Sequence, residues 1–205
     1  MKKSIICILF SILIHNVSAQ EYKKLFKNGK IEVIGKFENG KKNGEWKLYY
    51  RNGQIAMALI YKNGIVNGQW KSFHKNGQLK ESGNYENGER NYEWKYYHVN
   101  GKLEQIGKFE NGKKNGQWKS YYENGKLQEI GNYKNGKENG HLKYYFKNGQ
   151  LGEIGNFENG NEYGEWKYYY ENGQLAEIGN YENGKEKGQW KYYDEKGKLT
   201  KTQKF

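Results

Sequence analysis

The sequence predicts an all-β protein: a repetitive antiparallel β-hairpin meander forming an elongated, twisted, single-layer sheet. Three observations carry that expectation. Tryptophans recur every 24 residues, at Trp46, Trp70, Trp94, Trp118, Trp166 and Trp190, with Leu142 filling the one gap. Asn-Gly pairs keep the same period in two interleaved series, one from Asn52-Gly53 to Asn172-Gly173 and one from Asn39-Gly40 to Asn183-Gly184. Proline is absent from all 205 residues, as suits unbroken ladders of backbone hydrogen bonds. A period of this size marks an array in which each unit buries its apolar face only by stacking on its neighbours.

The first segment, residues 1–19, reads as a secretory leader. Lys2 and Lys3 form its charged start, Ile5 to Ile14 its apolar run, and Val17-Ser18-Ala19 supplies small residues for cleavage. The run is too short to span a bilayer comfortably. The expected location is therefore exported, periplasmic or extracellular, at the cell envelope. Cys7, the single cysteine, lies inside the leader. The remaining chain then offers no disulfide, no Cys-ligated metal and no Cys nucleophile.

Residues 20–205 read as one repeat domain of about seven 24-residue units with half-unit caps. Tyr22 to Lys30 forms the first half unit, turning at Asn28-Gly29. In a full unit, aromatic and β-branched residues run up to Asn124-Gly125 and resume after it. Asn-Gly in that setting predicts a two-residue type I′ hairpin. That turn sets Tyr122 opposite Leu127, Ser120 opposite Glu129 and Trp118 opposite Gly131. The same spacing sets Trp94 opposite Gly107, Trp166 opposite Gly179 and Trp46 opposite Leu59. Each ring is expected to cover the glycine facing it. Alternation along strands then puts Trp118, Tyr122, Leu127, Glu129 and Tyr133 on one face. Lys119, Tyr121, Gln128, Ile130 and Asn132 fall on the other. The second turn, from Glu110 to Gly116, is expected to be longer than two residues. At the far end Asp194 and Lys196-Gly197 replace the usual aromatic and Asn-Gly, as in a polar cap.

The net charge is +12, and the leader's two lysines leave +10 for the rest. Lysine alternates with glutamate throughout and no basic block forms, which excludes nucleic acid as the expected partner. Attraction to an anionic membrane surface or envelope fits better. His74 and His98 share one repeat position and read as aromatic substitutes for Tyr122. Glu81, Glu129, Glu153 and Glu177 share another, beside Ser72, Ser120, Tyr144 and Tyr168. That row reads as hydroxyl-bonded carboxylates, with a glycan-binding strip of Glu, Trp and Tyr as the alternative. No unit concentrates catalytic groups, so no enzyme, cofactor or metal is expected. The candidate binding residues are Tyr97, Tyr121, Tyr145 and Tyr169 with Lys95, Lys119, Lys143 and Lys167, two rows on one face.

The motif Tyr-x-Asn-Gly-x-x-x-Gly-x-Trp-x-x-Tyr-Tyr-x-Asn-Gly-x-Leu runs from Tyr133 to Leu151, with Leu142 at the Trp position, and from Phe109 to Leu127 and Phe157 to Leu175. It resembles the MORN repeat in its bacterial variant form. The resemblance covers about Glu21 to Lys198 and implies a β-hairpin array that binds a protein, envelope or lipid partner. It also implies an alternative, since bacterial proteins of this variant are often labelled antitoxin-type components. Tyr92, in the place of Gly68 and Gly116, and Ala58-Leu59-Ile60 depart from the pattern.

Overall fold

The computed structural model describes residues 19–205, so the leader reading lies almost wholly outside the described residues. The chain runs through β1 (Ala19–Leu25), β2 (Ile31–Glu38), β3 (Lys41–Tyr49), β4 (Ile55–Lys62), β5 (Ile65–Phe73), β6 (Leu79–Glu86), β7 (Glu89–Tyr97) and β8 (Leu103–Glu110). It continues through β9 (Lys113–Tyr121), β10 (Leu127–Lys134), β11 (Lys137–Tyr145), β12 (Leu151–Glu158), β13 (Asn161–Tyr169), β14 (Leu175–Glu182), β15 (Lys185–Tyr193) and β16 (Leu199–Lys204). All 16 strands form one sheet in sequence order, each antiparallel to the next. The all-β meander is therefore as expected.

The two Asn-Gly series build the turns the other way round from the sequence reading. Asn39, Asn63, Asn87, Asn111, Asn135, Asn159 and Asn183 have φ between 49° and 54°, each followed by a glycine at positive φ. These are the two-residue type I′ turns. In the other series only the glycine is left-handed, as in Gly125 at φ 90°. Gly125 N–H donates to the Tyr122 carbonyl at 2.7 Å, and Tyr122 N–H to the Lys126 carbonyl at 2.9 Å. The loop is thus three residues, Glu123-Asn124-Gly125, a type I turn closed by a left-handed glycine. Asn124 Oδ1 accepts the Lys126 N–H at 2.9 Å, which favours this turn over type I′.

A bulge then cancels the extra loop residue. Tyr121 faces Leu127, yet Ser120 faces Glu129 and Trp118 faces Gly131. The strand-body register is the expected one, but Leu127 and Gln128 exchange faces. Leu127 joins Ile130, Lys143 and Tyr145, whereas Gln128 sits with Tyr122 and His98. A second irregularity follows each type I′ turn. Gly131 faces Leu142 but Tyr133 faces Glu138, so β11 carries extra residues around Gly140, at φ 104°. This explains the glycine two residues before each Trp. Tyr92 holds the same place at φ 65°, a conformation that costs a side chain about 1–2 kcal/mol.

The core is a row rather than a centre. Trp46, Trp94, Trp118, Trp166 and Trp190 are 0–2% exposed. Each ring leans back over the preceding strand. A Cβ added at Gly107 would lie 2.1 Å from the Trp118 ring, and one at Gly35, Gly83, Gly155 or Gly179 would strike Trp46, Trp94, Trp166 or Trp190 equally hard. Trp118 therefore covers Gly107, not its facing residue Gly131, where an added Cβ would lie 3.3 Å from Leu142 and 3.9 Å from the Tyr133 ring. The lean does not depend on the indole N–H, since Trp190 leans equally with its N–H unpaired; in Trp118 that N–H donates to the Lys108 carbonyl at 3.1 Å. Trp46, Trp94 and Trp166 bond Lys36, Asn84 and Asn156 in the same way. Phe109, from the preceding strand, meets Trp118 edge-on at 5.0 Å.

Leu59 is a natural test of this packing. It stands where the covered glycine would be and is itself buried at 4% exposure. Trp70 is accordingly only half-buried, and its N–H turns forward to Glu81 Oε1 at 3.3 Å.

Two outcomes are expected in urea unfolding. Gly107→Val should lower stability by about 3 kcal/mol or more, because Trp118 must leave its seat. Gly131→Val should cost clearly less, since flexible Leu142 yields; equal midpoints would contradict the backward lean. Separately, Tyr92→Gly should raise stability by about 1 kcal/mol by releasing the left-handed strain. A lower midpoint for that variant would show that the Tyr92 side chain, with its hydroxyl on Glu86 at 2.9 Å, outweighs the strain.

Candidate functional site

Two chemically different broad faces and one stacked edge result from this fold. The edge is architectural. Asn52, Asn76, Asn100, Asn148 and Asn172 each donate Nδ2–H to a carbonyl of the next unit, 23 residues on. Tyr50, Tyr122 and Tyr170 do the same through their hydroxyls at 2.7 Å. His74 and His98 replace them, with Nε2 at 2.9 and 2.8 Å from the carbonyls of Tyr97 and Tyr121. A carbonyl only accepts, so Nε2 carries the proton in both. The histidines are thus aromatic donors in a ladder. In the last described unit Asp194 and Lys196 take the places of Tyr and Asn. There Asp194 Oδ1 instead accepts the N–H groups of Lys196 and Lys198.

The lysine face carries the sequence-predicted binding residues as two continuous rows. Lys95 sits between Ser82 and Ile106, and Lys119 between Ile106 and Ile130. Lys143 sits between Ile130 and Ile154, and Lys167 between Ile154 and Ile178. Tyr97, Tyr121, Tyr145 and Tyr169 face Leu103, Leu127, Leu151 and Leu175. The bulge that moves Leu127 to this face thus creates a Tyr–Leu row that the sequence reading lacked. The lysines are not equivalent. Lys95 and Lys167 bind Glu93 and Glu165 two residues earlier, at 2.9 and 2.7 Å. Lys119 and Lys143 have Gln117 and His141 there, and make no ion pair among the described residues. Between them lies a groove of about 510 Å³ lined by Gln117, Ile130, His141, Lys143, Tyr145 and Ile154 among others.

The opposite, aromatic face is polarised along the array. At one repeat position Lys42, Arg90 and Lys114 lie over Trp46, Trp94 and Trp118 at 4.5, 4.3 and 4.2 Å. The same position holds Glu138, Glu162 and Glu186 in the last three full units. The column follows the 24-residue period but changes residue type along it, so no single-residue row in the sequence marks it. The Glu row pairs as expected, Glu81 with Ser72, Glu129 with Ser120, Glu153 with Tyr144 and Glu177 with Tyr168. Of these partners only Ser72 donates its hydroxyl to the row, to Glu81 Oε1 at 3.2 Å, so the row is not hydroxyl-bonded as expected. Burial, then neighbouring Glu138, raises the Glu129 carboxyl above its ordinary range. Burial, then Glu129 and Glu162, does the same to Glu153. The Tyr133 hydroxyl is pushed up to about 12 by burial and then by Glu138. Because five of the six Trp rings are buried, a glycan strip here would have Tyr rings, carboxylates and the half-buried Trp70 to offer. No group of three or more His, Cys, Asp or Glu side chains is placed to hold a metal ion among the described residues. No helix among them is long and apolar enough to cross a membrane.

A chain of stacked β-hairpins with this 24-residue signature is a MORN-type repeat array. The match to the MORN repeat variant covers residues 42–63, 66–87, 114–135, 138–159, 162–183 and 186–205, more than half of the chain, and the chain belongs to that family. The stretch between 87 and 114 contains Tyr92. The family is one of repeat-based binding scaffolds. No curated protein matches the chain. Among solved structures it is similar to the crystal structure of a GtfA/B complex bound to UDP and GlcNAc, at 15% identity and a TM-score of 0.24. That likeness covers 56% of this chain and 22% of the other, and carries no argument about activity.

A carboxyl raised in the fold stabilises below its unfolded pKa, and that contribution is lost as pH rises through the folded pKa. Glu129→Gln and Glu153→Gln should therefore raise the urea midpoint at pH 7. The gain should vanish near pH 4, about where unfolded glutamates take up protons. Loss of stability at pH 7 in both variants would show that the carboxylates are held by bonds rather than stressed by burial.

Proposed function

We propose that the chain is an exported, non-enzymatic scaffold whose lysine face binds an anionic component of the cell envelope. The observation that carries this is the Lys–Ile row. It crosses the sheet beside a Tyr–Leu row, so positive charge and apolar surface alternate on one broad face. Such a face suits a surface of lipid headgroups, where each cation near the membrane contributes about 1 kcal/mol. Lys119 and Lys143 are the strongest contributors, because no acid on their own strands neutralises them. The repetition argues for binding over catalysis, since near-copies of one unit give affinity by multiplicity whereas catalysis needs one distinguished constellation.

The test is cosedimentation with vesicles. Vesicles of phosphatidylglycerol should bind the protein and those of phosphatidylcholine should not, with binding weakened by salt. Changing both Lys119 and Lys143 to Glu should weaken binding at least tenfold while leaving the melting temperature unchanged. Equal binding to both vesicle types, or none to either, would overturn this reading.

A further inference from the structure

The aromatic face is self-complementary. Read across the strands at the height of Lys114, it runs Arg90 on β7, Phe109 on β8, Lys114 on β9, Tyr133 on β10, Glu138 on β11, Phe157 on β12 and Glu162 on β13. Cross-strand pairs fix that order: Phe109 faces Lys114, Tyr133 faces Glu138, and Phe157 faces Glu162. Reflected about β10, every cation meets an anion and every aromatic meets an aromatic. Lys114 maps onto Glu138, Phe109 onto Phe157, Arg90 onto Glu162, and Tyr85 on β6 onto Tyr181 on β14. The centre of this pattern lies beside Gly131 and Leu142, the one place where the Trp row is interrupted and a smaller side chain stands.

We infer that the chain pairs with a second copy of itself through the aromatic face, about a two-fold axis running along β10. Rotation about an axis parallel to the strands and lying between the two sheets reverses strand order but keeps height along the strands. It therefore sets Lys114 of one copy against Glu138 of the other, and Arg90 against Glu162, each twice. Such an isologous contact closes at two copies. The half-buried state of these charges favours pairing: Lys114 rests on Trp118 with no ion pair, Arg90 over Trp94 keeps only a long 3.4 Å contact to Glu81, and Glu138 and Glu162 make no ion pair among the described residues. Lys114 is the one cation whose charge acts on Glu129, and Glu153 feels only other carboxylates. The area is sufficient. Seven strands at about 4.8 Å, by eight residues at about 3.3 Å, give a footprint of roughly 900 Å² per copy. Stable interfaces bury about 800 Å² per partner. Aligned packing of two sheets face to face is a common arrangement. Both lysine faces would then point outward, which doubles the surface proposed above without depending on it.

Sedimentation of the purified protein against concentration and salt tests the inference. A dimer is expected, loosening as salt rises. Lys114→Glu and Glu138→Lys should each weaken it at least tenfold by opposing like charges, and the two changes together should restore it, because both Lys114–Glu138 pairs are then inverted and matched again. Lys119→Glu, on the other face, should leave it unchanged. Since Lys114 also touches its own Trp118, melting curves identify any variant that fails to fold. A second measurement avoids that risk: with Cys7→Ser, a cysteine replacing Tyr133 on the axis should be joined to its twin by a short bismaleimide, and one replacing Lys119 should not. A protein that is monomeric up to about 100 μM would overturn the inference. A dimer that ignores the charge reversals, or one that links through Lys119→Cys rather than Tyr133→Cys, would do so as well.

Discussion

The indole of each unit lies on the backbone of the strand before it, in space that a side chain would otherwise fill. With no second layer to close the core, this is how a single sheet hides its largest apolar groups. A ring of about 200 Å² removed from water contributes about 5 kcal/mol before entropy is charged against it. The glycine under the ring, the edge-on Phe or Tyr beside it, and the carbonyl that receives its N–H all follow from that placement. The two irregular units confirm the dependence. Leu59 fills the space and Trp70 is displaced, while Leu142 replaces the ring and leaves Gly131 with a single close neighbour.

Stacking on one side frees the other. Because the rings settle against the preceding strand, the lysine face carries no core and can be given over to charge and half-exposed tyrosine. The ladders along the turn edge complete the division. Asn and Tyr, or His in two units, supply donors to the next unit along most of the array, while Phe146 has none to give and Asp194 bonds within its own loop. An array of this kind is stabilised by nearest-neighbour terms. A change in one unit is therefore felt by the unit on each side of it and little further.

The charge column on the aromatic face has a different origin. In the first half of the array Lys42, Arg90 and Lys114 rest on tryptophans, and their positive charge is part of the packing. In the second half Trp166 and Trp190 pack with Tyr168 and Tyr181, as Trp94 does with Tyr85 and Tyr96, but no cation lies over them and the column is acidic. A face that is basic at one end and acidic at the other is complementary to its own reversed copy, whatever else it meets.

From the sequence alone came the all-β class, the 24-residue unit, the strand-body register, the two lysine-face rows and the role of His74 and His98 as stand-ins for Tyr122. These follow from period, alternation and the demands of Asn-Gly turns, which are local. The tertiary structure decided which Asn-Gly series forms which turn, because an amide such as that of Asn100 finds its acceptor, the Glu123 carbonyl, only when units stack. It decided that Leu127 belongs with Tyr121, because the compensating bulge is a property of the paired strands. It also decided where the Trp118 ring lies. Gly107 and Gly131 flank that ring and are alike in sequence. Sheet formation breaks the tie by seating the ring on Gly107, where the Lys108 carbonyl also receives the indole N–H.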